Sequence, residues 1–297
     1  MNGYLLVNKP QGPTSHDVVM KMRKIFNTKK VGHTGTLDPL ATGLMVILIG
    51  KATKAADYIT ADNKAYIAEL KLGAVSDTLD ITGELSYLEK KTFSKDEIEE
   101  ALLSFVGENE QVPPMYSAKK INGKKLYELA RKGETVERKP VLINIYEIKI
   151  LQINDDTVKF YVHCSKGTYI RSLIDDFGKK LGYGAVMTAL KRVSTGNFSF
   201  ENDKVYDIEE IEENENPQSL LKCVDKAFYH YPKLVLNENE EKIVKNGIPF
   251  DFKKSRMENI YKEGDLLRVY NEKDEFFALM EVLPDDILKL KTTFYVQ

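Results

Sequence analysis

A loop rich in glycine and threonine carries a single carboxylate. It runs from Gly32 to Gly43, and Asp38 lies in it between Leu37 and Pro39. Proline disfavours the helical region for the residue before it and so keeps Asp38 extended. A carboxylate fixed on such a loop, ahead of a buried strand, is suited to act as a nucleophile or a general base. Aspartate before proline is also an ordinary turn residue, and the spacing alone favours that interpretation.

A second cluster lies where a predicted strand gives way to a predicted helix, at residues 163–171. Tyr169 and Arg171 fall in the first helical turn, away from the apolar stripe of the helix. Arg171 could pair with a carboxylate in a pocket or face solvent, and the spacing alone favours solvent. Cys164 points to the opposite face of its strand from His163, so we predict a core residue rather than a catalytic thiol.

Other common chemistries do not fit the spacing. GxGxxG is absent, and Gly50-Lys51 lacks both the leading glycine and the Ser or Thr of a phosphate-binding loop. Two cysteines and four histidines are scattered along the chain, which argues against a zinc site or a disulfide framework. No stretch approaches the roughly 20 apolar residues of a membrane helix, and the start, Met1 to Tyr4, has no basic segment leading into an apolar one. We therefore expect a cytoplasmic protein with no metal.

The candidate residues need strands and helices to position them. The pattern predicts short strands at 4–7, 44–49, 64–73, 141–152 and 157–164. It predicts helices that begin at Thr14 or Ser15, that run from a Ser94/Glu97 capping box to near Gly107, that cover 123–132, and that run from Ile170 to Leu181. On 64–73, Tyr66 shares one face with three apolar residues. Helices among alternating strands predict the α+β class with a mixed or antiparallel sheet.

Charge is segregated along the chain although the net charge of the 297 residues is only −2. Basic residues exceed acidic ones by six over 1–54 and by five over 116–139, whereas acidic residues exceed basic ones by seven over 201–216. Basic segments beside Tyr116 and Tyr127 suit a phosphate backbone, although a solvated lysine surface is the commoner explanation.

The pattern changes near residue 231. A short helix over 238–245 meets an Asn246-Gly247 turn, and strands are predicted near 265–270 and 275–282. We therefore predict a small β-rich second domain over 231–297.

Several short motifs, in family order, resemble those of the TruB family of tRNA pseudouridine synthases. They are Asn8–Pro10, the loop 32–44, Lys64–Tyr66, Pro114–Ala118, Gly123–Tyr127 and the run from Cys164 to Arg171. The resemblance covers about residues 3–200. Beyond 230, only position and length are similar to the small RNA-binding PUA-like domain of bacterial members.

This resemblance implies an architecture and a reaction. The architecture is a mixed-sheet catalytic domain over 1–230 with an RNA-clamping insertion near 112–140, followed by a PUA-like domain over 231–297. In the reaction, uracil is detached from C1′ of a uridine, rotated and rejoined through C5. The usual target is uridine 55 in the T loop of tRNA, and the family requires no metal or organic cofactor.

The resemblance also implies three catalytic residues. Asp38 matches the catalytic aspartate, whose carboxylate would attack the nucleotide or act on the sugar. Arg171 would pair with Asp38 and keep it ionised and oriented. Tyr66 would stack on the flipped base and act in the late proton transfer at C5.

Four further residues would bind the substrate. Tyr169 and Leu190 would line the uracil pocket, together with Tyr66. His33 would contact RNA near the flipped nucleotide. Lys9 would support the floor of the site or a phosphate.

The partner implied is tRNA, through its T stem-loop, and we expect a monomer. A guide-RNA-dependent synthase would be the nearest alternative, and a non-catalytic RNA-binding or folding factor on the same scaffold would be another. The presence of Asp38, Tyr66 and Arg171 together argues against the non-catalytic alternative. A small-molecule carboxylate enzyme would leave the basic segments unexplained.

Overall fold

The computed structural model describes residues 2–60, 63–117, 119–121, 123–251 and 261–294. Some residues of the predicted segments lie outside this range, namely Met1, Ala118, residue 122 of the insertion, and 252–260 and 295–297 of the C-terminal segment. No helix in the described part of the chain is long and apolar enough to cross a membrane.

Two sheets and two small hairpins account for the strands. The strands are β1 (Gly3–Lys9), β2 (Val31–His33), β3 (Thr42–Ile49), β4 (Lys64–Leu72), β5 (Ala74–Ser76), β6 (Leu85–Tyr87), β7 (Gly107–Gln111), β8 (Lys120–Ile121), β9 (Lys124–Lys125), β10 (Val141–Ile153), β11 (Thr157–Cys164), β12 (Ala185–Thr195), β13 (Phe198–Ser199), β14 (Tyr206–Asp207), β15 (Lys233–Leu236), β16 (Phe250–Asp251), β17 (Leu266–Asn271), β18 (Phe276–Leu283) and β19 (Ile287–Thr293).

Helices are short and lie between the strands. The α-helices are α1 (Ser15–Ile25), α2 (Ala56–Thr60), α3 (Lys95–Leu103), α4 (Leu126–Ala130), α5 (Ile170–Lys180), α6 (Ile208–Glu212) and α7 (Glu238–Lys245). Short 3-10 helices cover Gly50–Ala55, Pro217–Leu220, Val224–Phe228 and Pro284–Asp286.

The large sheet is mixed. Its main path runs β14-β1-β3-β12-β4-β11-β10-β7, with β2 paired to β3 and β13 paired to β12. The β1/β14 and β3/β12 pairs are parallel and the other pairs are antiparallel. The predicted mixed α+β class is therefore confirmed.

Strand β3 separates two apolar cores. Met45, Ile47 and Ile49 point into the core that includes residues of α1 and α5. The alternate residues, with Leu44 and Val46 among them, pack on the other face against Phe228 and part of the second sheet. Successive side chains of a strand alternate between faces, so a strand apolar at every position is covered on both sides.

The second sheet has the order β15-β17-β18-β19-β16 and a core of its own. It also contributes Leu279 and Phe294 to the core behind β3. The rings of Phe228 and Phe294 lie 6.1 Å apart at this junction. The sheet is thus packed against the larger one through a shared apolar layer.

Predicted and observed elements agree best where the apolar pattern is strong. The second-domain helix and strands are confirmed within one residue by α7, β17 and β18. The helix predicted over 123–132 is wrong at its start, because β9 pairs with β8 in a hairpin and α4 begins only at Leu126. The helix predicted to end near Gly107 ends at Leu103, because Gly107 opens β7.

Candidate active site

The loop that carries Asp38 is held from beneath by a buried lysine. Lys9 is fully buried, and its Nζ donates to the carbonyls of Ala41 at 2.6 Å, Pro10 at 3.0 Å and Pro39 at 3.3 Å. Burial lowers the pKa of Lys9 to about 8, while the nearby Asp38 carboxylate opposes that shift. Lys9 therefore lies under the floor of the site, out of reach of solvent.

Helix α1 fixes the other side of this loop. The Ser15 hydroxyl donates to the carbonyl of Leu37 at 3.0 Å and accepts from the Leu37 amide at 2.8 Å. Asp38 itself opens a turn, since the Ala41 amide donates to its carbonyl at 3.0 Å. The turn interpretation of Asp38 is therefore confirmed, and it leaves the side chain available for a chemical role, which stays a prediction.

A buried arginine that sequence reasoning missed ties the loop to β12. Arg192 is 1 % exposed, and its guanidinium donates to the carbonyls of Leu44 at 2.7 Å and Gly35 at 3.0 Å. The backbone of Gly43 packs closely against that of Arg192, and a Cβ at this position would lie 2.3 Å from the carbonyl oxygen of Arg192. The φ angle of Gly43 is +104°, which also favours glycine. The sequence gives no sign of this role, because no strand was predicted at 185–195 and the partners of Arg192 are backbone carbonyls distant in sequence.

Arg171 meets Asp38 in the cleft. Its Nε lies 2.9 Å from Oδ2 of Asp38, and its Nη1 and Nη2 donate to the carbonyls of Thr78 at 2.9 Å and Tyr116 at 2.8 Å. Arg171 is only 4 % exposed, so the expectation from spacing that it faces solvent is wrong. The first turn of α5 is covered by the 77–80 loop and by the start of the insertion, which the helical pattern alone does not reveal.

Asp80, also missed from the sequence, is the second carboxylate at this arginine. Its Oδ2 lies 3.8 Å from Arg171 Nε, and its Oδ1 accepts from the Thr78 hydroxyl and from the Thr82 amide and hydroxyl. The alternation of Thr, Asp and Thr at 78, 80 and 82 was the available signal. Asp80 is 4 % exposed and lines the larger of the two cavities beside this arginine.

The Asp38 carboxylate is partly open to the cleft. About a third of its side chain is exposed, at 35 %. Burial raises its pKa above the usual value for aspartate, and the positive charges of Arg171 and Lys9 act in the opposite direction. Asp38 is thus a desolvated carboxylate whose ionised form depends on Arg171.

Two connected cavities meet at this ion pair. One has a volume of about 810 Å³ and is lined by His33 among others, and the second has a volume of about 500 Å³. Asp38 and Arg171 line both. The smaller cavity also brings together three further predicted residues, Tyr66, Tyr169 and Leu190. Of the predicted site residues, Lys9 lines neither cavity.

Two titratable side chains in these walls are held neutral by their surroundings. Burial raises the pKa of Tyr66 to about 12, and a hydrogen bond with Arg192 opposes that shift only in part. Burial and the charge of Arg192 lower the pKa of His33, whose Nδ1 accepts from the Gly35 amide at 3.2 Å. At neutral pH the Tyr66 phenol therefore keeps its proton and the His33 imidazole is uncharged.

This arrangement is suited to acid–base or nucleophilic chemistry on a planar ligand. A carboxylate lies between two cavities, and an aromatic ring and apolar side chains line the smaller one. Across the described residues, no group of three or more His, Cys, Asp or Glu side chains could hold a metal ion. Cys164 is buried in the core, as predicted, and takes no part in the cavities.

Two protein-family models match most of the chain. Residues 23–170 match the model described as the TruB family pseudouridylate synthase N-terminal domain. Residues 171–228 match the tRNA pseudouridylate synthase B C-terminal domain. These matched ranges contain Asp38, Tyr66 and Arg171, and they end before the second sheet.

Curated relatives are similar over nearly their whole length. The tRNA pseudouridine synthase B of Clostridium tetani is 48 % identical over 282 residues, which are 94 % of this chain and 95 % of the relative. That of Clostridium acetobutylicum is 46 % identical over 294 residues, covering 98 % of this chain and 100 % of the relative.

Solved structures share the fold. A Cbf5-Nop10-Gar1 complex contains a chain that aligns with a TM-score of 0.75 at 26 % identity, covering 99 % of this chain and 85 % of that one. A chain of an H/ACA RNP bound to a substrate RNA aligns with the same TM-score at 25 % identity and the same coverage.

Proposed function

The chain belongs to the TruB family of pseudouridylate synthases, and on that premise we propose that it converts a uridine of tRNA to pseudouridine without a guide RNA. The observation that carries this proposal is the placement of Asp38. Its carboxylate lies between two cavities, 2.9 Å from Arg171, with Tyr66 in the wall of the smaller cavity. We further propose that the target is uridine 55 in the T loop.

The target base must leave the RNA stack to reach this carboxylate. C1′ and C5 of a stacked uridine are covered by their neighbours, so the nucleotide has to be extruded. A cavity of about 500 Å³ lined by Tyr66, Tyr169 and Leu190 offers apolar and aromatic walls for one base. A tRNA loop, with bases already splayed, lowers the cost of extrusion.

Asp38 would then act at the sugar. Its carboxylate either attacks the nucleotide or removes a proton from the sugar, and in both cases the bond between C1′ and N1 breaks. The freed uracil turns within the cavity and forms a bond from C5 to C1′. If Asp38 attacked C1′, this step breaks the bond between Asp38 and C1′ and restores the carboxylate. If Asp38 instead removed a proton from the sugar, that proton returns to the same carbon as C5 bonds to C1′. The hydrogen on C5 leaves as a proton and N1 gains one, so the product is an isomer of the substrate.

Arg171 and Tyr66 support separate steps. Arg171 keeps Asp38 ionised and in place, because its remaining nitrogens are fixed by two backbone carbonyls. The Tyr66 ring stacks on the base. Its phenol retains its proton at neutral pH, so in the late step it would relay a proton, giving its own to N1 and taking the one that C5 loses.

The remaining residues would hold the RNA. His33 lines the larger cavity as a neutral ring and would contact RNA next to the flipped nucleotide. Lys9 supports the floor through the 39–41 backbone. The basic insertion near 112–140 would clamp the T stem-loop, and Arg131 of that insertion lines the larger cavity. We assign the PUA-like role to residues 231–297 and propose that the protein acts as a monomer in the cytoplasm.

A guide-RNA-dependent synthase is the competing assignment, since the Cbf5-containing structures share the fold. The curated relatives at 46–48 % identity, matched over nearly their whole length, favour the independent enzyme.

The deciding experiment uses purified protein and an unmodified tRNA transcript with tritium at uridine C5, without guide RNA or cofactor. Release of tritium reports bond formation at C5, and carbodiimide mapping locates the modified position. We expect release from one T-loop uridine, absent in the Asp38→Asn variant. Tight binding without release would contradict the proposal, and addition of candidate guide RNAs would then separate a guided enzyme from a non-catalytic factor.

A further inference from the structure

Helix α5, which carries Arg171, starts without a local cap. Its N-cap residue is Tyr169, whose side chain makes no capping hydrogen bond. Four other helices start with a capping box, in which the N-cap and N3 residues satisfy each other's backbone amides. Those pairs are Thr14/Asp17, Ser94/Glu97, Asp207/Glu210 and Asn237/Glu240.

Gln111, the last residue of β7, supplies one half of a capping box, the half that the N3 side chain normally gives. Its Oε1 accepts from the Tyr169 amide at 2.8 Å, and its Nε2 donates to the Tyr169 carbonyl at 3.0 Å. In a capping box the N3 side chain accepts from the N-cap amide. Here that acceptor comes from a strand 58 residues earlier in the chain.

Two neighbouring bonds fasten the same stretch to α5. The Ser172 hydroxyl donates to the Val112 carbonyl at 3.2 Å. Nη2 of Arg171 donates to the Tyr116 carbonyl at 2.8 Å. The stretch from 111 to 116 is therefore bonded to three residues at the start of α5, namely 169, 171 and 172.

We propose that Gln111 is a positioning residue that sets the start of α5, and with it the Tyr169 wall of the base cavity and the reach of Arg171 to Asp38. Gln111 is 3 % exposed and lines neither cavity, so it acts through Tyr169 rather than on RNA. The inference rests on the proposed pseudouridine synthase activity.

The use of glutamine follows from the two bonds, since its side-chain amide carries a donor and an acceptor on two atoms of one planar group and so reaches the amide and the carbonyl of Tyr169 together. Glutamate has the same shape and keeps the acceptor. Its ionised carboxylate, however, repels the Tyr169 carbonyl oxygen. Only when the carboxyl group is protonated can it donate a hydrogen bond to that oxygen. Gln111→Glu therefore makes the bond to the Tyr169 carbonyl depend on pH while leaving packing unchanged.

The test measures single-turnover tritium release and tRNA affinity for the full chain. Variants are Gln111→Glu, Gln111→Met and, as a matched control, Gln152→Glu on the exposed β10–β11 hairpin. We expect both Gln111 variants to lose about tenfold or more in rate, as small misplacements of reacting groups do. Their tRNA affinity should stay within about threefold, because phosphate contacts dominate it.

The pH dependence separates positioning from a general structural role. The rate of Gln111→Glu divided by that of Gln111→Met should rise as pH falls, whereas the rate of Gln152→Glu divided by that of wild type should stay constant. Gln111→Met has no titratable group at this position and shares any change in the Asp38 titration that a displaced Arg171 causes, so the first division removes that change. A constant ratio for Gln111→Glu, a full rate for Gln111→Met, or parallel losses of rate and affinity would overturn the inference. Absence of tritium release from wild type would instead count against the proposed function.

Discussion

Nε of Arg171 faces two carboxylates, lying 2.9 Å from Asp38 and 3.8 Å from Asp80. The two are not equivalent. Asp80 is buried and already accepts hydrogen bonds from Thr78 and Thr82, whereas Asp38 is open to the cleft. The more distant carboxylate is therefore held by its own loop, and the nearer one is the carboxylate of the pair that is open to the cleft.

Replacement of Asp38 by asparagine keeps the shape of the side chain and removes its charge. We expect Asp38→Asn to abolish tritium release. Affinity for tRNA should change by no more than about threefold, because phosphate contacts dominate affinity. Single-turnover assays and filter binding on the same preparations measure the two quantities, and a fully active variant would refute the assignment of Asp38.

The activity should fall at low pH because the reaction needs ionised Asp38. Burial raises the pKa of this carboxyl, so the acid limb of kcat/KM should lie above the ordinary range of aspartate. Arg171 lowers that pKa, so Arg171→Met should move the limb to still higher pH. Arg131→Met, which removes a charge from the same cavity but not from this ion pair, should leave the limb in place. If the acid limb of kcat/KM in Arg171→Met stayed at the wild-type pH, the coupling between Arg171 and Asp38 would be contradicted.

Tyr66→Phe keeps the ring and removes the hydroxyl. If the phenol takes part in proton transfer, the rate constant should fall about 100-fold, within the usual range for a positioned acid or base. Stacking survives in this variant, so tRNA affinity should be nearly unchanged. Equal losses in rate and affinity would refute a chemical role and leave only a packing one.

Lys9 should make the free energy of unfolding depend on pH in the alkaline range. Its pKa is about 8 in the folded protein and near 10.5 in the unfolded chain, so between these values the unfolded state binds more protons. The free energy of unfolding should therefore rise with pH across this window, and Lys9→Met should lack that rise. Urea titrations at several pH values, with the exposed Lys24→Met as control, measure the difference. A parallel pH dependence in wild type and Lys9→Met would rule the effect out.

Binding of tRNA should weaken steeply with salt. Affinity should drop about tenfold or more between about 50 and 200 mM salt, the loss that two neutralised phosphates produce. Lys119 and Arg131 line the two cavities, so the double variant Lys119→Met/Arg131→Met should have a shallower slope. A flat salt series for wild type would remove the role proposed for the basic segments.

The sequence predicted those parts of the fold that depend on local pattern. The apolar alternation of 64–73 placed Tyr66 on the core face, where the structure has it. The Ser94/Glu97 capping box is present, because capping depends on residues three apart. The 120–125 hairpin was missed, since two-residue strands carry no periodicity.

Candidate site residues were found from the sequence where they lie in a recognisable motif. Residues whose partners are backbone groups were missed. Arg171 is buried because distant loops cover it, and helical spacing could not show that. Arg192 and Gln111 act on the carbonyls or amide of Gly35, Leu44 and Tyr169. Backbone groups have the same chemistry in every residue, so no side-chain pattern marks such partners.

The sharing of β3 between two cores limits how this protein can be divided or recombined. A chain ending after residue 230 would keep Phe228 but lose Leu279 and Phe294, and so would expose part of the apolar layer behind β3 and be prone to aggregate. An unrelated C-terminal module could be grafted in place of the native one only if it supplied side chains equivalent to Leu279 and Phe294. The two sheets are therefore expected to have diversified together, with insertions tolerated in loops and not at this junction.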